Sequence, residues 1–260
     1  MKKSPQSKKA EQTHPHLVRI NQFLSRSGVA SRRQADTLIE EGKVRVNSVV
    51  RTEPGFKIDP RTDTVEYQHS NTAWHAVEQV GETLTIALYK PKGYVTSMVK
   101  QGKDPIIAEL LPKSPRLYPV GRLDKDSEGL ILCTNDGDFT AQLTHPRSHI
   151  EKEYTTHVII PKNFTENNLK GKLGRLAKGV RIDGRKTLPC TVEFLRFLRP
   201  QMVEIRIVLK EGRNRQIRRM LGSIDCEVFK LIRTRIGNLS LASLMLKHGE
   251  YKEVSHDSVL

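Results

Sequence analysis

Apolar residues keep a helical spacing through the first part of the chain and switch to strand alternation further on. Leu17, Ile20, Phe23 and Leu24 predict a helix with one buried face, closed by Gly28 as a C-terminal cap. Ser31, with Gln34 three residues later, has the pattern of a capping box. It opens a second helix, buried through Ala35, Leu38 and Ile39 and stopped by Gly42. Val44 and Val46 alternate with Lys43, Arg45 and Asn47, as in a half-buried strand. A second alternating run, Leu84, Ile86 and Leu88 within Thr83–Tyr89, ends at the turn Lys90-Pro91-Lys92-Gly93, and Tyr94–Ser97 is extended again. Alternation returns in Gly129–Thr134 and Val203–Leu209. A helix over 213–221 sets Ile217 and Leu221 on one face with Arg215 and Arg218 beside them.

Composition narrows the class. A chain of 260 residues that is 37% hydrophobic can hold one large domain, or a small one and a larger one. No apolar run reaches the roughly 18 residues of a spanning helix. The start, MKKSPQSKKA, has no apolar stretch after it and no Arg, so neither a secretory signal nor a transit peptide is read. Cys133, Cys190 and Cys226 lie far apart and suggest neither disulfides nor a zinc site. A monomeric, cytoplasmic protein is expected, with no membrane contact and no metal.

The net charge of +15 attracts polyanions without specifying one. Its distribution says more. Residues 1–16 carry four Lys and one Glu and read as a disordered basic tail, useful for RNA capture or only for solubility. No Lys or Arg occurs in the 28 residues between Arg61 and Lys90, which marks a boundary: a module over 17–66, a linker over 67–82, a second domain over 83–254 and a tail over 255–260. Residues 210–235 hold eight basic and three acidic side chains.

Arg32 and Arg33 sit in the first turn of the second helix, where the macrodipole disfavours cations and an anionic ligand would relieve them. A solvated charged turn is the plainer account. The run RINQFLSRSGVASRRQADTLIEEGKVRVN resembles an S4 RNA-binding domain of αL type, which implies RNA contacts for Arg32, Arg33 and Lys43. The S4 pattern has Asn-Gly where this chain has Asn47-Ser48, and the turn type there is left open.

The loop GRLDKDSEG, between apolar strands, admits three readings. Asp124, Asp126, Glu128 and Gly129 imitate the start of a calcium loop, but the closing position is Asn135, not a bidentate carboxylate. A plain charged hairpin is the second reading. The third is an active site whose carboxylate attacks or deprotonates a substrate beside a cation that keeps it ionised. His145 and His149 flank Pro146 without a third ligand and read as surface histidines, and Cys133 reads as core.

GRLDKDSEGL, with KPKGYVTS before it, EKEY at 151–154 and EGRNRQIRRM at 211–220, resembles the pseudouridine synthase family typified by RsuA, RluB, RluE and RluF. The motifs stand in the family's order, and RTRIGNLSL leans toward the RluF/RluB branch. The resemblance implies an α+β fold: an S4 module joined to a catalytic domain with a mixed, mainly antiparallel sheet and flanking helices. It further implies isomerisation of uridine to pseudouridine without a cofactor, in ribosomal RNA, 23S ahead of 16S or transfer RNA. Asp124 takes the place of the catalytic aspartate, Tyr154 that of a tyrosine stacking on the target base, and Arg218 that of the basic residue paired with the aspartate. Ile217 becomes an apolar wall, Arg122 a side chain that fills the space of an extruded base, and Arg213, Arg215 and Arg219 phosphate ligands. The competing reading is a non-catalytic S4-type RNA-binding or ribosome-assembly factor.

Overall fold

The computed structural model describes residues 17–69, 73–78, 83–100 and 102–260, so the basic tail read over 1–16 lies outside the described residues. The chain divides at 82/83 into two compact units, each with its own core.

In the first unit, helices α1 (Ile20–Arg26) and α2 (Arg32–Glu40) bury Ile20, Leu24, Ala35 and Ile39 against Val44 and Val46 of strand β1 (Val44–Val46). The capping box forms: Gln34 N donates to Ser31 Oγ at 3.3 Å and Ser31 N to Gln34 Oε1 at 3.1 Å. Strand β2 (Val49–Val50) returns along β1 through Asn47 and Ser48, both left-handed with φ of 50° and 67°. That is the backbone of a type I′ hairpin turn, reached here without the usual glycine. The Asn47 side chain holds it, donating to Asp63 Oδ1 and accepting from Thr64 N, both at 2.9 Å. Strands β3 (Val65–Tyr67) and β4 (His75–Ala76) complete the sheet in the order β2-β1-β3-β4. The span read as a linker from residue 67 therefore contributes an edge strand, because Glu66 and Tyr67 pair with Ala76 and His75.

The second unit is built on strands β5 (Thr85–Lys90), β6 (Glu128–Thr134), β7 (Lys152–Ile159), β8 (Thr191–Arg199), β9 (Met202–Leu209), β10 (Glu227–Ile236) and β11 (Tyr251–Glu253). Their order is β8-β9-β7-β10-β6-β5-β11. All of these neighbours are antiparallel except β10 and β6, which run parallel through Ile232–Glu128 and Arg233–Gly129. The sheet is the mixed, mainly antiparallel one expected, and the fold is α+β. Helices α3 (Gly137–Thr144), α4 (Glu166–Ala177) and α5 (Gln216–Gly222) flank it. Strand β6 is buried on both faces: Ile131 and Cys133 join one core with Leu173 and Leu221, while Leu130 and Leu132 join another with Phe139 and Val259.

The end of the chain is packed, not a free tail. Val259 is fully buried and its carbonyl accepts from Asn238 N at 2.9 Å. Gly237, at φ 55°, lets the backbone come that close, since a Cβ there would overlap the Val259 carbonyl.

Candidate active site

The loop from Gly121 to Ser127 leaves β6 on its N-terminal side, and its backbone is fastened at every carbonyl from 123 to 127. Leu123 O accepts from Thr96 Oγ1 at 2.7 Å, Asp124 O from Ser127 N at 3.0 Å and Lys125 O from Gly93 N at 2.8 Å. Asp126 O accepts from Arg218 Nη2 at 3.1 Å, and Ser127 O from the buried Lys90 Nζ at 2.7 Å. Lys90 at the end of β5, the turn at Gly93 and Thr96 therefore clamp the loop from one side and α5 clamps it from the other. Every bond engages backbone, so the Asp124 carboxylate stays available while its main chain is held. Lys90 also donates to Pro91 O at 3.0 Å. Burial pushes its pKa down to about 8, against the pull of the Asp124 carboxylate.

Gly129 seats the loop on the sheet. At φ 112° it lies so close to β10 that a Cβ would stand 2.6 Å from Arg233 N, so only glycine permits the parallel pairing.

Above this junction opens a cleft of about 430 Å³. Asp124 faces it together with Tyr154, which is 8% exposed, and Ile217, which is 4% exposed. Tyr154 is held within β7, and Ile217 projects from α5 into the main core. The lining also holds six cationic residues (Arg122, Lys152, Arg213, Arg215, Arg218 and Arg233) and a single acidic one, Asp124. A half-enclosed chamber with one carboxylate, an aromatic, an apolar wall and many cations suits a polyanion from which one base is withdrawn.

A model of RNA pseudouridylate synthases matches residues 84–223, and an S4 domain model matches residues 18–65. The chain belongs to the RNA pseudouridylate synthase family. It is 37% identical over 232 residues to ribosomal large subunit pseudouridine synthase B of Bacillus subtilis, covering 88% of this chain and 89% of that one. Over 243 residues it is 37% identical to the dual-specificity RNA pseudouridine synthase RluF of Escherichia coli K12, covering 94% and 77%. A crystal structure of a pseudouridylate synthase superposes with a TM-score of 0.61 at 26% identity, covering 93% of this chain and 98% of the other.

In this synthase the cation within ion-pairing reach of Asp124 is Arg215, not Arg218. Arg215 Nη1 lies 3.9 Å from Asp124 Oδ2 and 3.7 Å from Asp126 Oδ2, from a left-handed backbone at φ 49° that opens α5. Arg218 instead bridges two carbonyls, Asp126 O and, at 3.0 Å, Val228 O on β10. Arg213 is committed to the protein as well: its guanidinium donates to Arg185 O at 3.1 Å and Lys186 O at 2.7 Å and contacts Glu211. Arg219 forms a two-pronged pair with Asp183 and does not line the cleft. These two side chains, read as phosphate ligands, are occupied in holding the short hairpin around residues 181–186. Arg122 is exposed at the rim. In the S4 unit Arg32 and Arg33 are exposed on a helix whose first turn has no acidic residue, whereas Lys43 pairs with Glu41 at 2.6 Å.

His145 and His149 are exposed, and His145 Nδ1 accepts from Arg147 N at 3.1 Å. Among the described residues no group of three or more His, Cys, Asp or Glu is placed to hold a metal, and no helix is long and apolar enough to cross a membrane. Burial raises the Cys133 thiol to about 12, as befits a core residue. Sequence reasoning passed over Lys90, Lys152 and Arg233; of these Lys90 had a signal, since it continues the inward phase of Leu84, Ile86 and Leu88.

Proposed function

We propose that this synthase isomerises uridine to pseudouridine at a defined position of large-subunit ribosomal RNA, with Asp124 as the reacting carboxylate. The observation that carries the reading is the lone acid, on a loop fastened at each carbonyl from 123 to 127, inside a cleft whose other charged side chains are all cations. Binding phosphates gives no use to a carboxylate there; a sugar carbon losing its base does. As C1′ gives up its bond to N1 it becomes electron-poor, and an oriented anion stabilises it, by adding to C1′ or by removing the 2′ proton. The detached uracil turns in the half-enclosed chamber and rejoins through C5. Tyr154 supplies a stacking face and Ile217 an apolar wall, and Arg122 at the rim takes the place of the extruded base. Fixing the loop before substrate arrives spares the reaction the cost of ordering it.

The choice of RNA is supported by relatives named for the large ribosomal subunit and by the S4 domain. The test is carbodiimide mapping of pseudouridine in ribosomal and transfer RNA from cells with the wild-type protein, with Asp124→Asn, and without it. One large-subunit uridine should lose its mark in both deficient strains. A mark lost from 16S or transfer RNA would move the target, a mark lost only in the deletion strain would take the reaction away from Asp124, and marks intact in both deficient strains would leave the protein as an RNA-binding assembly factor.

A further inference from the structure

Two cations at the back of the cleft have no task in that account. Arg233 on β10 is only 3% exposed yet lines the chamber, and Lys152 at the start of β7 lines it too. The register explains how they come together. Strands β7 and β10 pair Glu153 with Arg235 but Tyr154 with Arg233, so Thr234 is an extra residue in a β-bulge. The bulge sends Arg233 and Arg235, two positions apart, to opposite faces of the sheet. Arg235 joins Glu153 and is neutralised, with Nη2 3.0 Å from Glu151 and Nε 3.5 Å from Glu153. Arg233 joins Tyr154 on the cleft side. Its Nε donates to Leu130 O at 2.6 Å, but the buried Nη2 meets no acceptor. Lys152, two residues before Tyr154 and on its face, donates to Ile150 O at 3.1 Å. Burial, and then the Arg233 charge, lower its proton affinity.

A buried donor without a partner costs roughly 1–3 kcal/mol, so an acceptor that enters the cleft and reaches Arg233 recovers that cost. The chamber between Tyr154, Ile217 and Leu231 fits a stacked base, and uracil offers two carbonyl oxygens at its edge. Resting on the proposed isomerisation, we propose that Arg233 and Lys152 bind the carbonyl oxygens of the extruded uracil and carry its negative charge while it is detached. When the C1′–N1 bond breaks, its electron pair stays with the ring and spreads onto both oxygens, facing the two cations. Rejoining returns a pair from C5 to C1′, the C5 proton leaves to water, and N1 takes a proton. Cytosine presents an amino donor in place of one oxygen and meets the cations as a misfit.

The test uses the full-length protein and ribosomal RNA and large-subunit particles from cells lacking it, labelled with tritium at C5 of uracil, which isomerisation releases. Arg233→Met and Lys152→Met should each slow single-turnover release at least 30-fold, with RNA affinity within threefold of wild type, and Arg233→Lys should recover to within tenfold. Release within threefold of wild type in both Met variants overturns the assignment. So does a slowing matched by an equal loss of RNA affinity, which would make the pair phosphate ligands. If Arg233→Met does not fold, Lys152→Met decides: release within threefold of wild type overturns the assignment. A wild-type protein that releases no tritium removes the isomerase reading itself, an outcome distinct from failure of the variants alone.

Discussion

Arg218 illustrates how a motif conveys a residue type but not its acceptor. RQIRRM identified the arginine, and Ile217 beside it as a wall; the family pattern implied a partner carboxylate. The side chain spends its two terminal nitrogens on carbonyls from separate elements, Asp126 O in the loop and Val228 O on β10, while Arg215 approaches Asp124. A fork can join two such acceptors and an ammonium cannot match that geometry. Arg218→Lys is therefore expected to lower the single-turnover rate about tenfold, near the worth of one charge-assisted hydrogen bond, and to leave RNA affinity within twofold. An unaltered rate would show that the second bond is dispensable. Asp124 could be singled out only through the resemblance of GRLDKDSEGL to the family, since the same loop also carries Asp126 and Glu128. The bulge that separates Arg233 from Arg235 was not legible, because it exists only once β7 is laid against β10.

At the scale of elements, β5 does two jobs. Leu84, Ile86 and Leu88 alternate as the sequence foretold, and the same phase carries Lys90 into the core, where it holds the Ser127 carbonyl. Since burial sets its folded pKa at about 8, below the ordinary value of 10.5, the unfolded chain binds more protons between those limits. Stability from this group consequently rises as pH climbs from about 8 toward 10.5. The prediction is that the difference in denaturant midpoint between wild type and Lys90→Met shifts in favour of wild type over that interval; a difference independent of pH would mean that Lys90 titrates as it does in water. The capping box of α2 was equally visible in advance, because Ser31 and Gln34 interact within one turn. The strand His75–Ala76 was not, since two residues are too few to show an alternation of their own.

For the molecule as a whole, each unit buries its own core, and the exposed Arg32 and Arg33 belong to the smaller one. Deleting residues 1–82 should weaken RNA binding and flatten its dependence on salt by roughly 1.5 to 2 in log–log slope for two lost phosphate contacts. The catalytic unit should retain single-turnover activity at saturating RNA. An unchanged slope would place the anchor in the catalytic unit instead. Family, fold class and the order of the motifs could be read from the letters, whereas the sheet order could not: the parallel seam joins Glu128 and Gly129 to residues over a hundred positions later. That seam has a consequence for a chain still being made. Asp124 leaves the ribosome about a hundred residues before the arginine that clamps its loop and the strand that seats it. A nascent chain thus completes its S4 domain well before the loop that holds Asp124 can be seated, and a chain cut short before β10 is expected to lack the chemistry while keeping that first module.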